Sequence, residues 1–215
     1  MTQRSRRREP VGARGSAPSA SPRERVLKAA FALFRRHGFA RTSTLEIASR
    51  AQVSKRDLYA LFGSKEAMLT ACIAERASRM RQPLGLAAAV PASCDALAAT
   101  LVELGTSVLR VVSHPDVLAV YRLAIAESDR EPEIARVLDR NGRETNHRAL
   151  AEWLGRAQAQ GTIGPGDAAA MAERFFALLW GGLLMQLLLR VREVPGPEEI
   201  AARARAATQA IIARL

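Results

Sequence analysis

The chain has 215 residues, 48% hydrophobic but only 5% aromatic, enough for one sizeable helical core or for a small domain joined to a medium one. Its richness in Ala, Leu and Arg favours helices, argues against a sandwich or barrel, and sets the fold class as all-α. The net charge of +11 is uneven, with 18 Lys or Arg against six Asp or Glu in residues 1–82 and 14 against 15 in residues 83–215, so a polyanion suits one end and something neutral the other.

Residues 1–22 place Arg4, Arg6, Arg7, Arg8 and Arg14 among Ser, Gly, Pro and Ala with no hydrophobic period. They read as a disordered basic arm, either without a role or adding phosphate and minor-groove contacts. From Arg23, the residues Val26, Leu27, Ala30, Phe31 and Phe34 recur at helical spacing, and the helix ends near His37-Gly38. Ser43 with Glu46 forms a capping box that opens a short helix to about Arg50, with Ile47 and Ala48 facing inward. Ala51-Gln52-Val53 makes a turn. Ser54 with Asp57 forms a second box, and the helix it opens runs to about Leu61 on Leu58 as inward anchor. Gly63-Ser64 breaks the chain, Ser64 caps the next helix, and Met68-Leu69 begin its apolar face. Two short helices on a longer one make a helix-turn-helix over residues 23–69, with a linking helix to about 82.

Residues 83–91, bounded by Pro83 and Pro91, read as a connector to a helical domain spanning 83–215. Its expected helices are 92–112, 115–128, 132–160, 166–191 and 197–214, with Pro115, Pro132, Pro165 and Pro197 near their first turns. The most apolar run, Phe175 to Leu189, is 15 residues broken by Gln186. It falls short of the roughly 20 residues a membrane crossing needs, and no apolar core of a signal peptide precedes it, so a cytoplasmic protein is expected. Cys72 and Cys94 lie outside any CxxC pair and read as buried or half-buried free thiols. His37, His114 and His147 form no close cluster, so neither a metal nor another cofactor is expected. No phosphate loop, HExxH or nucleophile elbow is present, and the chain does not read as an enzyme.

The helix beginning at Ser54 carries the DNA-reading pattern. Lys55, Arg56, Asp57, Tyr59 and Ala60 are free to meet a groove while Leu58 and Leu61 or Phe62 hold the helix down. Lys or Arg donates to guanine O6/N7 and Asp accepts from cytosine N4. Tyr59 and Lys65 suit phosphates, as do the free amides of the helices opened at Ser43 and Ser64.

The run Gly38-Phe39-Ala40-Arg41-Thr42-Ser43-Thr44-Leu45-Glu46-Ile47-Ala48, then Ala51-Gln52-Val53-Ser54, Leu58-Tyr59 and Phe62-Gly63-Ser64-Lys65-Glu66-Ala67-Met68-Leu69, resembles the N-terminal domain of the TetR (tetracycline-repressor) family. The resemblance implies a homodimeric regulator, usually a repressor, on a palindromic site in double-stranded DNA. Lys55, Arg56, Asp57, Tyr59 and Ala60 would be its base- or backbone-contacting residues, and Thr42, Ser43 and Lys65 its phosphate contacts. Three positions depart from the pattern: Gln52 stands for the usual turn Gly, Leu61 for His or Tyr, and Asp57 for a small Thr or Ala. Tyr121-Arg122-Leu123-Ala124-Ile125-Ala126-Glu127 with Glu131-Pro132-Glu133-Ile134 is similar to one broad C-terminal class of the same family.

In the second domain, Leu101, Leu104, Val108, Val117, Leu118, Tyr121, Phe175, Leu178 and Leu179 face inward and are the expected lining of a pocket for a small hydrophobic or amphipathic effector, unless they simply fill a core. The 166–191 helix is apolar around most of its circumference, which assigns Trp180, Leu183, Leu184, Leu187 and Leu188, with Ala204, Ala207 and Ile211 of the last helix, to a two-fold dimer interface, unless that helix is a fully buried central helix of one subunit. The alternatives are an activator, a regulator without an effector, and an architectural DNA binder with weak sequence preference.

Overall fold

The computed structural model describes residues 20–84 and 90–212. Most of the basic arm therefore lies outside the described residues, as do residues 213 and 214 of the last expected helix. Eleven α-helices occur among the described residues, and no strand.

The first four form a tight cluster. Helix α1 (Pro22–His37) starts on a full capping box that the sequence pattern did not reveal: Ser21 Oγ accepts from the Glu24 amide while Glu24 accepts from the Ser21 amide at 2.7 Å. Its inner face buries Val26, Leu27, Ala30, Phe31 and Phe34. Helices α2 (Thr44–Ala51), α3 (Lys55–Phe62) and α4 (Lys65–Met80) open on Ser43, Ser54 and Ser64, whose hydroxyls each accept from the amide three residues on. The two boxes expected at Ser43 and Ser54 are only half made. Asp57, one methylene shorter than Glu, turns to the Ser54 hydroxyl at 2.7 Å instead of the backbone, and Glu46 lies 3.6 Å from His37 Nε2. Between α2 and α3, Gln52 takes the left-handed conformation at φ 54° and ψ 49°, the cost its replacement of Gly implies.

Beyond a 3₁₀ turn at Gln82–Leu84, α5 (Cys94–Val112) and α6 (Pro115–Ala126) run as expected. The single helix expected at 132–160 is instead α7 (Pro132–Leu138), a π-helical turn at Asp139–Glu144, and α8 (Thr145–Ala159). The helix expected at 166–191 is likewise two, α9 (Ala168–Trp180) and α10 (Leu183–Leu188). Gly181 sits between them at φ 46° and ψ −129°, backbone that only glycine adopts cheaply, so the glycine pair breaks the helix rather than thinning it. Helix α11 (Pro197–Ile212) closes the chain.

Two hydrophobic cores result. One joins α1–α4 to Val120 and Ala124 of α6 and Ile134 and Val137 of α7. The other joins the last residue of α4, Met80, to α5, α8, α9, α10 and α11 around Leu101, Leu104, Trp153, Phe175 and Leu179. Helix α11 approaches α5 so closely that a Cβ on Gly105 would stand 3.1 Å from Ala204 Cβ and from Leu179 Cδ1. Cys72 is buried in the first core, where burial pushes its thiol up to about 12, whereas Cys94 is exposed, contrary to expectation. No single described helix is long and apolar enough to cross a membrane.

Candidate DNA interface and ligand cavity

Helix α3 owes its placement to one side chain. Leu58 is its only buried residue, and it enters the core that α1, α2 and α4 share. Truncating such a residue to alanine costs about 2–5 kcal/mol. Lys55, Arg56, Asp57, Tyr59, Ala60 and Leu61 are left exposed along one short helix. Arg56 makes no hydrogen bond or ion pair among the described residues, so its guanidinium is available to a base edge. Asp57 is half committed to Ser54. Tyr59 is oriented rather than loose: its hydroxyl lies 3.2 Å from Thr44 Oγ1, and Lys55 Nζ stands 5.9 Å above its ring. Arg25 fastens the turn to α1, donating from Nε to the Ala51 carbonyl at 3.0 Å.

The four residues expected at phosphates fall into two sets. Ser43 and Ser64 sit at helix N-termini with their hydroxyls already accepting capping bonds. Thr42 is buried, and its hydroxyl donates to the Gly38 carbonyl at 2.7 Å. Lys65 Nζ donates to the carbonyls of Phe39, Ala40 and Thr42 at 2.9, 3.3 and 3.3 Å and lies 4.4 Å over the Phe39 ring. An ammonium has three hydrogens, and all three are spent on the loop between α1 and α2. Thr42 and Lys65 thus build that loop rather than project from it. Nothing in their types and spacing separates this role from a phosphate contact.

A cavity of about 430 Å³ lies among α4, α5, α6, α7, the π-helical turn, α8, α9 and α10. Of the nine residues expected to line a pocket, Val108 and Tyr121 do so. Leu101, Leu104, Leu118, Phe175 and Leu179 fill the core instead, Val117 borders a small neighbouring void, and Leu178 faces outward. The wall is completed by residues that the sequence pattern did not single out, among them Met80, Val112, Ile125, Asn146, His147 and Phe176. His147 stacks on Phe176 with ring centres 4.4 Å apart. Burial, then the neighbouring Arg143, lower its basicity, so the ring is neutral near pH 7. Burial also raises Tyr121 above its usual range and keeps it a phenol. Asp139 and Arg143 neutralise each other through two bonds of 2.5 and 3.1 Å, which hold the carboxyl below its usual range.

The cavity touches both halves of the molecule. Met80 is its contact with α4, and the adjacent Asn146 accepts from Arg81 at 3.0 Å and donates to Met80 Sδ at 3.2 Å. Helix α6 is tied to α1 by the Arg35–Asp116 ion pair, and to α10 by Arg122, which donates to the Leu188 and Leu187 carbonyls at 2.9 and 2.6 Å.

Comparison with known proteins gives the family. Residues 26–72 match the bacterial regulatory proteins of the tetR family, and residues 99–214, more than half of the chain, match the AefR-like transcriptional repressor C-terminal domain. The chain belongs to the TetR family. Members of the TetR family are DNA-binding regulators rather than enzymes, and this TetR-family chain is a sequence-specific DNA-binding regulator of transcription. It is 25% identical over 180 residues, 82% of this chain and 88% of its relative, to the uncharacterised HTH-type transcriptional regulator YvkB of Bacillus subtilis. Among solved structures it resembles the flavonoid-responsive regulator FrrA at 30% identity and a TM-score of 0.67, covering 90% of this chain and 96% of that one. A TetR regulator of Agrobacterium tumefaciens is 27% identical with a TM-score of 0.71, over 91% and 95% of the two chains.

The residues expected at a dimer interface are mostly inside this TetR protomer. Leu183, Leu187, Ala204, Ala207 and Ile211 are buried in the second core, and Trp180 and Leu184 line the cavity. Only Leu188 of that set is left partly exposed without lining the cavity. The apolar groups turned outward are Leu178 of α9, Met185 of α10 and Leu189 just after α10, exposed at 47, 60 and 64%. Leu179, Leu183 and Leu187 keep a spacing of four on the buried side across Gly181, and Leu178, Met185 and Leu189 share another side, so one inward and one outward stripe run through the break.

Proposed function

We propose that this TetR-family chain is a homodimeric repressor, released from a palindromic operator by a small hydrophobic or amphipathic effector bound in the cavity of about 430 Å³. The observation that carries the reading is the contact of that cavity with Met80, the last residue of the helix whose first residue, Lys65, anchors the DNA-reading unit. A ligand that favours one placement of α4 over another changes the spacing of two recognition helices. A ligand binding both placements equally would change nothing. The name of FrrA, flavonoid-responsive, supports a small organic effector.

The outward Leu178, Met185 and Leu189 supply an apolar face for a second copy, and a two-fold dimer matches a palindromic site. In each protomer Lys55, Arg56, Asp57, Tyr59 and Ala60 would meet the major groove, with Ser43 and Ser64 near phosphates.

The test is to select duplexes bound by the protein, measure affinity for the selected and a scrambled duplex by fluorescence anisotropy, and screen small molecules for release. Selective binding to a palindrome, abolished on adding a compound, is the expected result. Equal affinity for both duplexes would replace this reading with an architectural one.

A further inference from the structure

The cavity wall is unusual for a chain so poor in aromatic groups. Three of its ten Phe, Trp and Tyr residues line this one space, Tyr121, Phe176 and Trp180, with His147 as a fourth ring stacked on Phe176. Flat apolar faces favour a flat ligand, since offset and edge-on ring contacts add to simple burial. The volume of about 430 Å³ suits a compact molecule.

The polar groups are as selective as the apolar ones. Asp139 and Arg143 form a closed pair, leaving no free charge on the wall. The other nearby cations point elsewhere. Arg76 donates to the Cys72 carbonyl at 3.0 Å and lies 3.3 Å over the Phe31 ring, and Arg81 donates to Asn146. Ser128 Oγ donates to the Ile125 carbonyl at 2.8 Å, and the Asn146 amide is engaged by Arg81 and Met80. The Tyr121 hydroxyl and the His147 imidazole hydrogen-bond to no other described residue. A phenol both donates and accepts, and a neutral imidazole carries one nitrogen of each kind. Such a wall satisfies a hydroxyl. It offers an ionised carboxylate no compensating charge, and an unpaired charge is costly to bury.

We propose that this cavity selects an uncharged, hydroxyl-bearing aromatic molecule of roughly two or three rings, with Tyr121 and His147 as the side chains that recognise the hydroxyl. The proposal rests on reading the cavity as the effector site, but binding and DNA release are separable. Isothermal titration calorimetry of the full-length protein near pH 7.5 would compare biphenyl-4-ol, biphenyl, biphenyl-4-carboxylate and decanoate. Biphenyl-4-ol should bind best, with the carboxylate and decanoate at least about tenfold weaker. Tyr121→Phe and His147→Phe should each weaken biphenyl-4-ol by roughly two- to tenfold while leaving biphenyl unchanged. Unchanged biphenyl binding also shows that the variants are folded. Tighter binding of either acid, no binding of any probe, or an unaltered preference in both variants would overturn the proposal. If biphenyl-4-ol binds as described but leaves DNA affinity untouched, the specificity stands and the effector-release reading fails.

Discussion

Replacing Lys65 by methionine keeps the aliphatic stem and removes the ammonium that holds the loop between α1 and α2. Its hydrogen bond to the Phe39 carbonyl at 2.9 Å is the strong one, and those to Ala40 and Thr42 at 3.3 Å are weaker. Hydrogen bonds from a charged donor contribute about 1.5–3 kcal/mol when well made, and a cation over an aromatic ring about 0.5–1 kcal/mol. Lys65 is half-buried, so solvent screens part of this, and the net loss should be about 2–4 kcal/mol. For a chain of this size that lowers the melting midpoint by roughly 5–15 °C. Thermal unfolding at fixed protein concentration measures the first effect. Operator titration across a salt series measures the second: affinity should fall while the slope of log K against log salt stays at the wild-type value. A lysine paired with a phosphate behaves the opposite way, with the slope falling by about 0.9 for each phosphate no longer neutralised. An unmoved melting point together with a reduced slope would refute the loop-anchor argument.

Arg56→Ala should cost about 1–3 kcal/mol in operator affinity and relax selection at one base pair, read by competition with single-base operator variants; a uniform loss over all of them would reassign Arg56 to the backbone. Gln52→Gly should raise stability by about 0.5–1 kcal/mol in urea unfolding, because glycine enters the left-handed region without the steric cost that Gln52 bears at φ 54°; a destabilised variant would contradict that strain. A Leu178→Glu, Met185→Glu double variant should sediment as a monomer and lose most operator affinity with its helicity intact, whereas a dimeric variant would move the interface off the α9–α10 face.

The first four helices were legible because their signals are local. Serines at 43, 54 and 64 cap three of them, glycines at 38 and 63 end two of them at positive φ, and apolar spacing names the buried face. Roles that depend on what a side chain meets across the fold were not legible. Lys65 and Thr42 carry polar groups that suit a phosphate as well as a carbonyl, and only the approach of α4 to the preceding loop decides. Leu178, Leu183 and Leu187 are one residue type, yet the first is exposed and the others are core. Helical spacing separates them, since Leu183 and Leu187 follow Leu179 at intervals of four while Leu178 lies on another side, and counting apolar residues around the whole circumference hid that difference. The cavity was harder still. Val108, Tyr121, His147 and Phe176 come from four helices, and no spacing along the chain brings them to one space.

The division of the hydrophobic cores bears on how such regulators can exchange parts. The core beneath α3 does not stop at α4, because Val120, Ala124, Ile134 and Val137 enter it from later in the chain. The π-helical turn is the seam: Ile134 and Val137 before it pack with the reading unit, and Leu150, Trp153 and Leu154 after it pack with the other core. A recombination joint placed in the connector after residue 82 would therefore set one parent's α1–α4 against another parent's α6 and α7. Substituting the exposed residues of α3, the proposed DNA-reading helix, leaves both cores and their shared boundary intact.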